Sequence, residues 1–457
     1  MNNFVDKINV VNDFVNGIVW GPIMIAVIIF TGLFLTVRFG FIQLVNIKSI
    51  WNNTVKKVFV KTEDKNKLAT AEAALVSMGE IVGSGNIAGV ATAIVGGGPG
   101  ALVWMWIAAL IGMATKFAEI VLGILFKKVN KDGSVNGGPM YYLRDGVGSK
   151  FLAGMYAFLC MCSYIVIVAM VDTNTIVNAV TSKFDVPNWG IALALMIIVG
   201  FVIFGGVKRL GGFSKLVVPI MGIFYIIIGL IVIFSNIGMA GNAFATILTS
   251  AFRPQAAVGG FAGATVTQIM RYGFARGIYS NEAGLGTAAF PHAAAETDSP
   301  IRQGLWGPVE VFCDTIIVNT ITGVVVVMAG LWTAGDDGAA LAMSSFGKLL
   351  PFSFGDILIM IAAILFSFTC LTSASYVCER ACEYLFGEKA KPVVKVLWLG
   401  FIAIGAMLSL DLVWNLADTV NGLMLIPNLI GLLVLSKKVA DMKKEFFIKE
   451  KVEKLDK

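Results

Sequence analysis

The stretch Gly79-Glu80-Ile81-Val82-Gly83-Ser84-Gly85-Asn86-Ile87-Ala88-Gly89 interrupts an apolar run that extends from Leu68 to Val95. The run is long enough to cross a bilayer, for which about 20 apolar residues suffice. Its centre is a poor helix former: glycines at 83, 85 and 89 alternate with Ser84, Asn86 and their neighbours, and each interior glycine costs about 1 kcal/mol relative to alanine. A helix broken at membrane depth needs its freed amides and carbonyls buried in protein or facing a cavity. Such a break offers N-terminal amides to an anion and C-terminal carbonyls to a cation, which makes it a candidate binding site. The plainer reading of the same glycines is close helix packing. The rest of the chain decides between the two.

Composition sets the class. Of 457 residues, 57% are hydrophobic and only 14% charged, and the mean hydropathy is +0.82. That balance predicts an all-α polytopic membrane protein. The N-terminal residues lack a basic region and a small-residue cleavage site, so the first apolar segment is expected to be retained. The six cysteines (160, 162, 313, 370, 378 and 382) all fall in apolar segments and read as small buried residues. His292 is the only histidine, which leaves no material for a zinc site or a histidine proton relay. No Gly-x-x-x-x-Gly-Lys-[Ser/Thr] loop for ATP occurs.

Apolar segments predict eleven transmembrane helices: 18–37, 68–95, 101–126, 151–181, 189–204, 213–234, 265–290, 306–332, 355–386, 393–410 and 415–435. Segments 38–67, 127–150, 205–215, 291–305, 387–395 and 437–457 hold 27 of the 35 Lys and Arg residues, against 4 in the alternate segments. That bias predicts an outside N-terminus and a cytoplasmic C-terminus in a cell membrane. The basic tail reads as a solvated or membrane-surface helix, with lipid as its neighbour.

Without the first span, ten remain and divide five and five, into 68–234 and 265–435. An odd number of spans per half makes the halves antiparallel, as in inverted-repeat transporters. The chain is thus read as a peripheral N-terminal helix with a connector (1–67), a first repeat (68–234), an extracellular connector (235–264), a second repeat (265–435) and a cytoplasmic tail (436–457). The symmetry predicts a second broken helix at the start of the second repeat. Gln268 to Thr287 carries glycine and charge where the apolar run should be cleanest.

Gly97-Gly98-Pro99-Gly100-Ala101-Leu102-Val103-Trp104-Met105-Trp106-Ile107-Ala108-Ala109-Leu110-Ile111-Gly112 is similar to the signature of the sodium:alanine (alanine or glycine:cation) symporters, with Val103 where the family usually has phenylalanine. Ile87–Ala91, Ala114–Glu119 and Ser280–Gly286 also resemble family blocks, so the resemblance covers nearly the whole chain. It implies a LeuT-like five-plus-five inverted repeat with two broken helices, in which Val82-Gly83-Ser84-Gly85-Asn86 matches the first unwound run. The match implies that the amides near Ser84 and Gly85 take a substrate carboxylate. It also implies that the carbonyls of Gly79 and Val82 hold sodium together with Thr369, Thr372 and Ser373.

Neutral hydroxyls and carbonyls suit a hard cation that must leave again. A small neutral amino acid needs an anion acceptor and a cation acceptor a few ångströms apart. Amides along Gly83, Ser84, Gly85 and Asn86 supply the first, and carbonyls freed around Gly273, Phe274 and Gly277 are expected to supply the second, with Phe274 and Ile278 closing over the side chain. Among the intramembrane charges, Lys116 and Glu119 are expected to neutralise each other, and Arg276 to pair with an acid from another helix as a gate. Asp172 faces either the site or an aqueous vestibule. The reading is a sodium-coupled symporter of alanine or glycine with no organic cofactor, no enzymatic activity and no nucleic-acid partner. The alternatives are proton coupling, another small amino acid on the same scaffold, or an ion channel. Oligomeric state is not legible.

Overall fold

The structure is a computed structural model that describes residues 2–58, 67–131, 133–252, 265–352, 354–408 and 410–455. Apart from one short antiparallel pair, Lys128–Val129 with Val135–Asn136, the described elements are helices. Helix Ala101–Leu125 is the axis of the molecule. It is apolar all round except at Lys116 and Glu119, and it is buried along nearly its whole length, as a helix without a polar face must be. Helix Gly206–Ser235 lies at the perimeter: Leu216, Ile220, Ile223, Ile227, Leu230 and Phe234 form an exposed stripe at helical spacing. A stripe of that kind is the face a membrane protein turns to lipid.

Among the described residues seven helices are long and apolar enough to cross a membrane, or eight when the bent pair Thr70–Ile81 and Gly85–Gly97 is taken as one span. The expected count of eleven is therefore not reached on length and composition. Asn188–Ile203 and Val266–Asn281 have 16 residues each and Lys391–Gly405 has 15. A 16-residue helix rises about 24 Å, short of the roughly 30 Å hydrocarbon core. Two other boundaries also differ from expectation. The first span is the second half of a helical pair, Asn2–Val19 and Pro22–Arg38, divided at Gly21 because Pro22 starts a new helix. The tail continues the last span as one helix, Leu410–Leu455, rather than starting a separate one. Of the expected extracellular connector 235–264, residues 237–250 form helix Ile237–Ser250, and 253–264 lie outside the described residues.

Helix Thr70–Ile81 packs between Gly206–Ser235 and Gly355–Phe386, and helix Val266–Asn281 packs along Ala101–Leu125. Each start is set locally. The Glu72 carboxylate accepts from the Ala69 amide, and Thr265 and Gln268 cap each other reciprocally. Leu68 bonds on both sides to the 294–296 backbone, which ties the entry of the first broken helix to the segment that follows the second break. Among the described residues three helices contain a wide π turn: Gly85–Gly89, Ser163–Val168 and Phe312–Asn319.

Candidate functional site

The first break is where the sequence places it. Helix Thr70–Ile81 ends at Val82, and the chain resumes at Gly85 after a bend of 49°. Its glycines admit two other helices, Gly355–Phe386 and Val266–Asn281. A Cβ on Gly79 would lie 2.9 Å from Ser373 Oγ, one on Gly83 would lie 3.0 Å from Cys370 Cβ, and one on Gly85 would lie 3.1 Å from Ser280 Cα. The bare amides have partners. Gly83 N donates to Asn86 Oδ1 (2.8 Å), and Ser84 N donates to Asp172 Oδ1 (3.2 Å). Asn86 Nδ2 in turn donates to Asp314 Oδ1 (2.6 Å) and Asn319 Oδ1 (2.8 Å), and Thr322 Oγ1 donates to the Asn86 carbonyl (2.7 Å).

The second break is real but lies further along than expected. Helix Val266–Asn281 runs without interruption through Gly273, Phe274, Gly277 and Ile278, so the carbonyls there stay in the helix and are not free to hold an ammonium. Gly273 and Gly277 instead let helix Ala101–Leu125 approach: a Cβ on Gly273 would lie 2.6 Å from the Ala101 carbonyl, and one on Gly277 would lie 3.3 Å from Met105 Cα. Phe274 is fully buried with its ring 6.3 Å from that of Trp104, and Ile278 is core. The residues of this helix that meet the first break are Tyr279 and Ser280. The chain unwinds only at Glu282, which is left-handed (φ 55°), and at Gly284 and Gly286 (φ 106° and 83°). Glycine at every second position, 284 and 286, was the signal for it.

A buried acid caps each break. Asp172 takes the Ser84 amide of the first. Glu119 takes the amides of Gly284 (2.9 Å) and Gly286 (3.0 Å) in the second and also accepts from Asn428 Nδ2 (2.7 Å). Lys116 therefore does not neutralise Glu119. Its Nζ lies 3.5 Å from Glu310 Oε2 and donates to the Asn281 carbonyl (2.8 Å); the i,i+3 spacing lost to partners from other helices. Arg276 does pair across helices, with Asp418, and its guanidinium lies 4.7 Å above the Trp414 ring. Trp20 Nε1 donates to the Asp418 carbonyl (2.8 Å), so the N-terminal helical pair touches this contact and is less peripheral than expected.

Of the residues expected to hold sodium, Gly79 and Ser373 face each other, and Ser373 Oγ is buried without a hydrogen-bond partner. Thr369 Oγ1 and Thr372 Oγ1 bond back to the carbonyls of Phe366 (2.9 Å) and Thr369 (2.9 Å), the usual resting place of helix hydroxyls. Asp172 Oδ2 is a second buried orphan beside Gly83 and Ser84. No group of three or more metal-ligating side chains occurs among the described residues.

Two cavities frame the break. A central one of about 10 Å³ is lined by Glu80, Gly83, Ser84, Tyr164, Tyr279 and Glu282; it has room for roughly one water. A wider one of about 220 Å³ opens beyond the Arg276–Asp418 pair, between Asp13, Arg271 and Asp337. Tyr279 and Trp414, with ring centroids 4.8 Å apart, lie between the two.

Known proteins agree with this architecture. The crystal structure of MhsT in complex with L-phenylalanine superposes with a TM-score of 0.58 at 15% identity, over 82% of this chain and 88% of that one, so the two share a fold. Sodium/alanine symporter AgcS of Methanococcus maripaludis is 41% identical over 455 residues, covering 97% of each chain. Probable sodium/glutamine symporter GlnT of Bacillus subtilis is 34% identical over 443 residues, covering 96% of this chain and 91% of the relative. The model of the sodium:alanine symporter family matches residues 5–457. This chain, a multi-pass membrane transporter, belongs to the sodium:alanine symporter family.

Proposed function

We propose that the protein imports a small neutral amino acid, alanine or glycine, together with sodium by alternating access. The observation that carries this reading is the Asp172 carboxylate set against the Ser84 amide in the first break. A zwitterion needs one acceptor for each end, and this stretch has both within contact distance. In this reading the substrate carboxylate lies at the Gly85 amide, with the Asn86 amide turning to it from the Gly83 carbonyl (3.3 Å), and the ammonium lies at Asp172 Oδ2, the buried oxygen left without a partner. Asp172 thereby takes the role first expected of the carbonyls near Gly273. Sodium lies between the Gly79 and Val82 carbonyls and Ser373, with Thr369 and Thr372 turning their hydroxyls from the helix when it binds.

Close packing of Cys370 and Tyr279 on Gly83 and Gly85 supports a small side chain, and the central cavity must widen to admit even alanine. The repeats 68–234 and 265–435 move against each other around the breaks, with Arg276–Asp418 as the gate on the outer side, the side to which the Lys and Arg bias assigns the N-terminus. The sodium gradient drives the cycle, with about 2.3 kcal/mol added per net charge per 100 mV. Uptake of labelled alanine into liposomes tests the reading: a sodium gradient should drive it and a potassium gradient should not. Glutamine competing better than alanine would overturn the substrate assignment. Asp172→Asn should weaken alanine binding about 10- to 100-fold, the worth of a charge-assisted hydrogen bond; unchanged binding would remove Asp172 from the site.

A further inference from the structure

Glu310, on helix Trp306–Val311, is a fully buried acid that caps neither break. Its carboxylate gathers donors from three separate segments. Ser77 Oγ, on the first broken helix, donates to Oε2 (2.8 Å), and Lys116 Nζ, on helix Ala101–Leu125, stands 3.5 Å from the same oxygen. His292, beyond the second break, has its Nε2 2.6 Å from Oε1. Gln303 Nε2 lies 2.8 Å from His292 Nδ1 and 2.8 Å from the Thr70 carbonyl. An amide nitrogen can only donate, so His292 Nδ1 accepts and the ring hydrogen sits on Nε2, aimed at Glu310. Ser77, Lys116, His292 and Gln303 are all buried.

These contacts join the two repeats on one side of the breaks. Thr70 begins the half-helix Thr70–Ile81, and Leu68, just before it, bonds to the backbone of Ala294 (2.9 Å) and Glu296 (2.8 Å). Lys116 also donates to the carbonyl of Asn281, the last residue of helix Val266–Asn281, so one ammonium reaches from Glu310 to the second break. The approach is tight: a Cβ on Gly307 would lie 2.8 Å from Phe117 N, so helix Trp306–Val311 meets helix Ala101–Leu125 backbone to backbone beside Lys116. Trp306 packs on Ala71 and Ala74 of the half-helix. Segments 38–67 and 291–305, which flank the contact, are both on the side that the Lys and Arg bias assigns to the cytoplasm. Hydrogen bonds to a charged group are the strong kind. A buried carboxylate that loses one donor regains it only if water enters.

We propose that Glu310 is the hub of an inner lock. Ser77, His292 and Lys116 converge on it and hold half-helix Thr70–Ile81 against the segment that follows the second break, and the inner path opens when Ser77 and Gln303 release that half-helix. Glu310, Ser77 and Gln303 are positioning residues that act through the half-helix and touch no substrate. That the path opens here toward the cytoplasm rests on the alternating-access reading above; the lock itself does not.

The test is hydrogen–deuterium exchange of the full-length protein in liposomes, without alanine, read by mass spectrometry. Ser77→Ala deletes one hydrogen bond to the hub and should speed exchange about 10- to 100-fold in peptides covering 68–81 and 291–305. Peptides covering 266–276 and 414–421, around the Arg276–Asp418 pair, should be unchanged. Glu310→Gln should act on the same two segments. The double variant should fall short of the product of the two single effects, because both substitutions break one joint. If Glu310→Gln does not fold, Ser77→Ala decides alone. Equal acceleration in every peptide would reduce the cluster to ordinary core and overturn the lock. Unaltered exchange at 68–81, or a double variant that reaches the full product, overturns it as well. Because the readout needs no transport, a chain that fails to carry alanine leaves this result standing.

Discussion

Replacing Arg276 by alanine removes half of an ion pair whose side chains are 4% and 14% exposed. Deleting one partner of a fully buried pair costs about 3–5 kcal/mol, mostly because the other charge is stranded. Asp418 borders a cavity of about 220 Å³, so water reaches it, and a loss of about 2–3 kcal/mol is the appropriate range. The guanidinium also leaves the Trp414 ring, which adds about 0.5–1 kcal/mol. At 1.4 kcal/mol per tenfold, the joined arrangement becomes about 60- to 700-fold less favoured. If closing the pair is part of trapping substrate, the apparent Kd for alanine rises by that factor. The assay is equilibrium binding of labelled alanine to the purified protein for Arg276→Ala, Asp418→Ala and the double variant. Once one charge is gone the second substitution relieves a stranded group, so the coupling between them should be about 2 kcal/mol. Effects that add to within about 0.5 kcal/mol would refute the gate.

Two glycine substitutions separate site from scaffold. Gly85→Ala pushes a methyl toward Ser280 Cα at 3.1 Å and should hold the breaks apart, raising the Kd for alanine several-fold with little change in thermal stability. Gly273→Ala meets the Ala101 carbonyl at 2.6 Å and should cost about 1–3 kcal/mol of stability as overpacking, read as a lower Tm with alanine binding retained in the folded fraction. The opposite pattern would restore Gly273 to the site. Ser373→Ala removes an orphan hydroxyl that faces Gly79 and should raise the sodium concentration for half-maximal uptake about tenfold, a loss of about 1.4 kcal/mol; an unchanged value would leave sodium without this ligand.

The first break was legible because its glycines fall on no single helical face, so no packing stripe explains all of them. Gly273 and Gly277 misled for the converse reason. They are four apart, on one face, and that face is where helix Ala101–Leu125 lies against them. Charges a turn apart misled as well: Lys116 and Glu119 look like a local pair, but each serves backbone or acid brought in from distant parts of the chain. Arg276 was read correctly as a residue needing an acid from elsewhere, though nothing local named Asp418. The meeting of Ser77 with Glu310 depends on two segments 233 residues apart folding to one point; no periodicity carries that.

The wide turns at 85–89, 163–168 and 312–319 carry a consequence for motion. A π turn holds one residue more than its helix needs, so the surplus can pass along the rod without undoing the ladder on either side. Each such step swings the side chains beyond it by about 100°. Three rods with slack can therefore change which groups point inward while their ends stay anchored, a screw-like adjustment in place of a swinging lever.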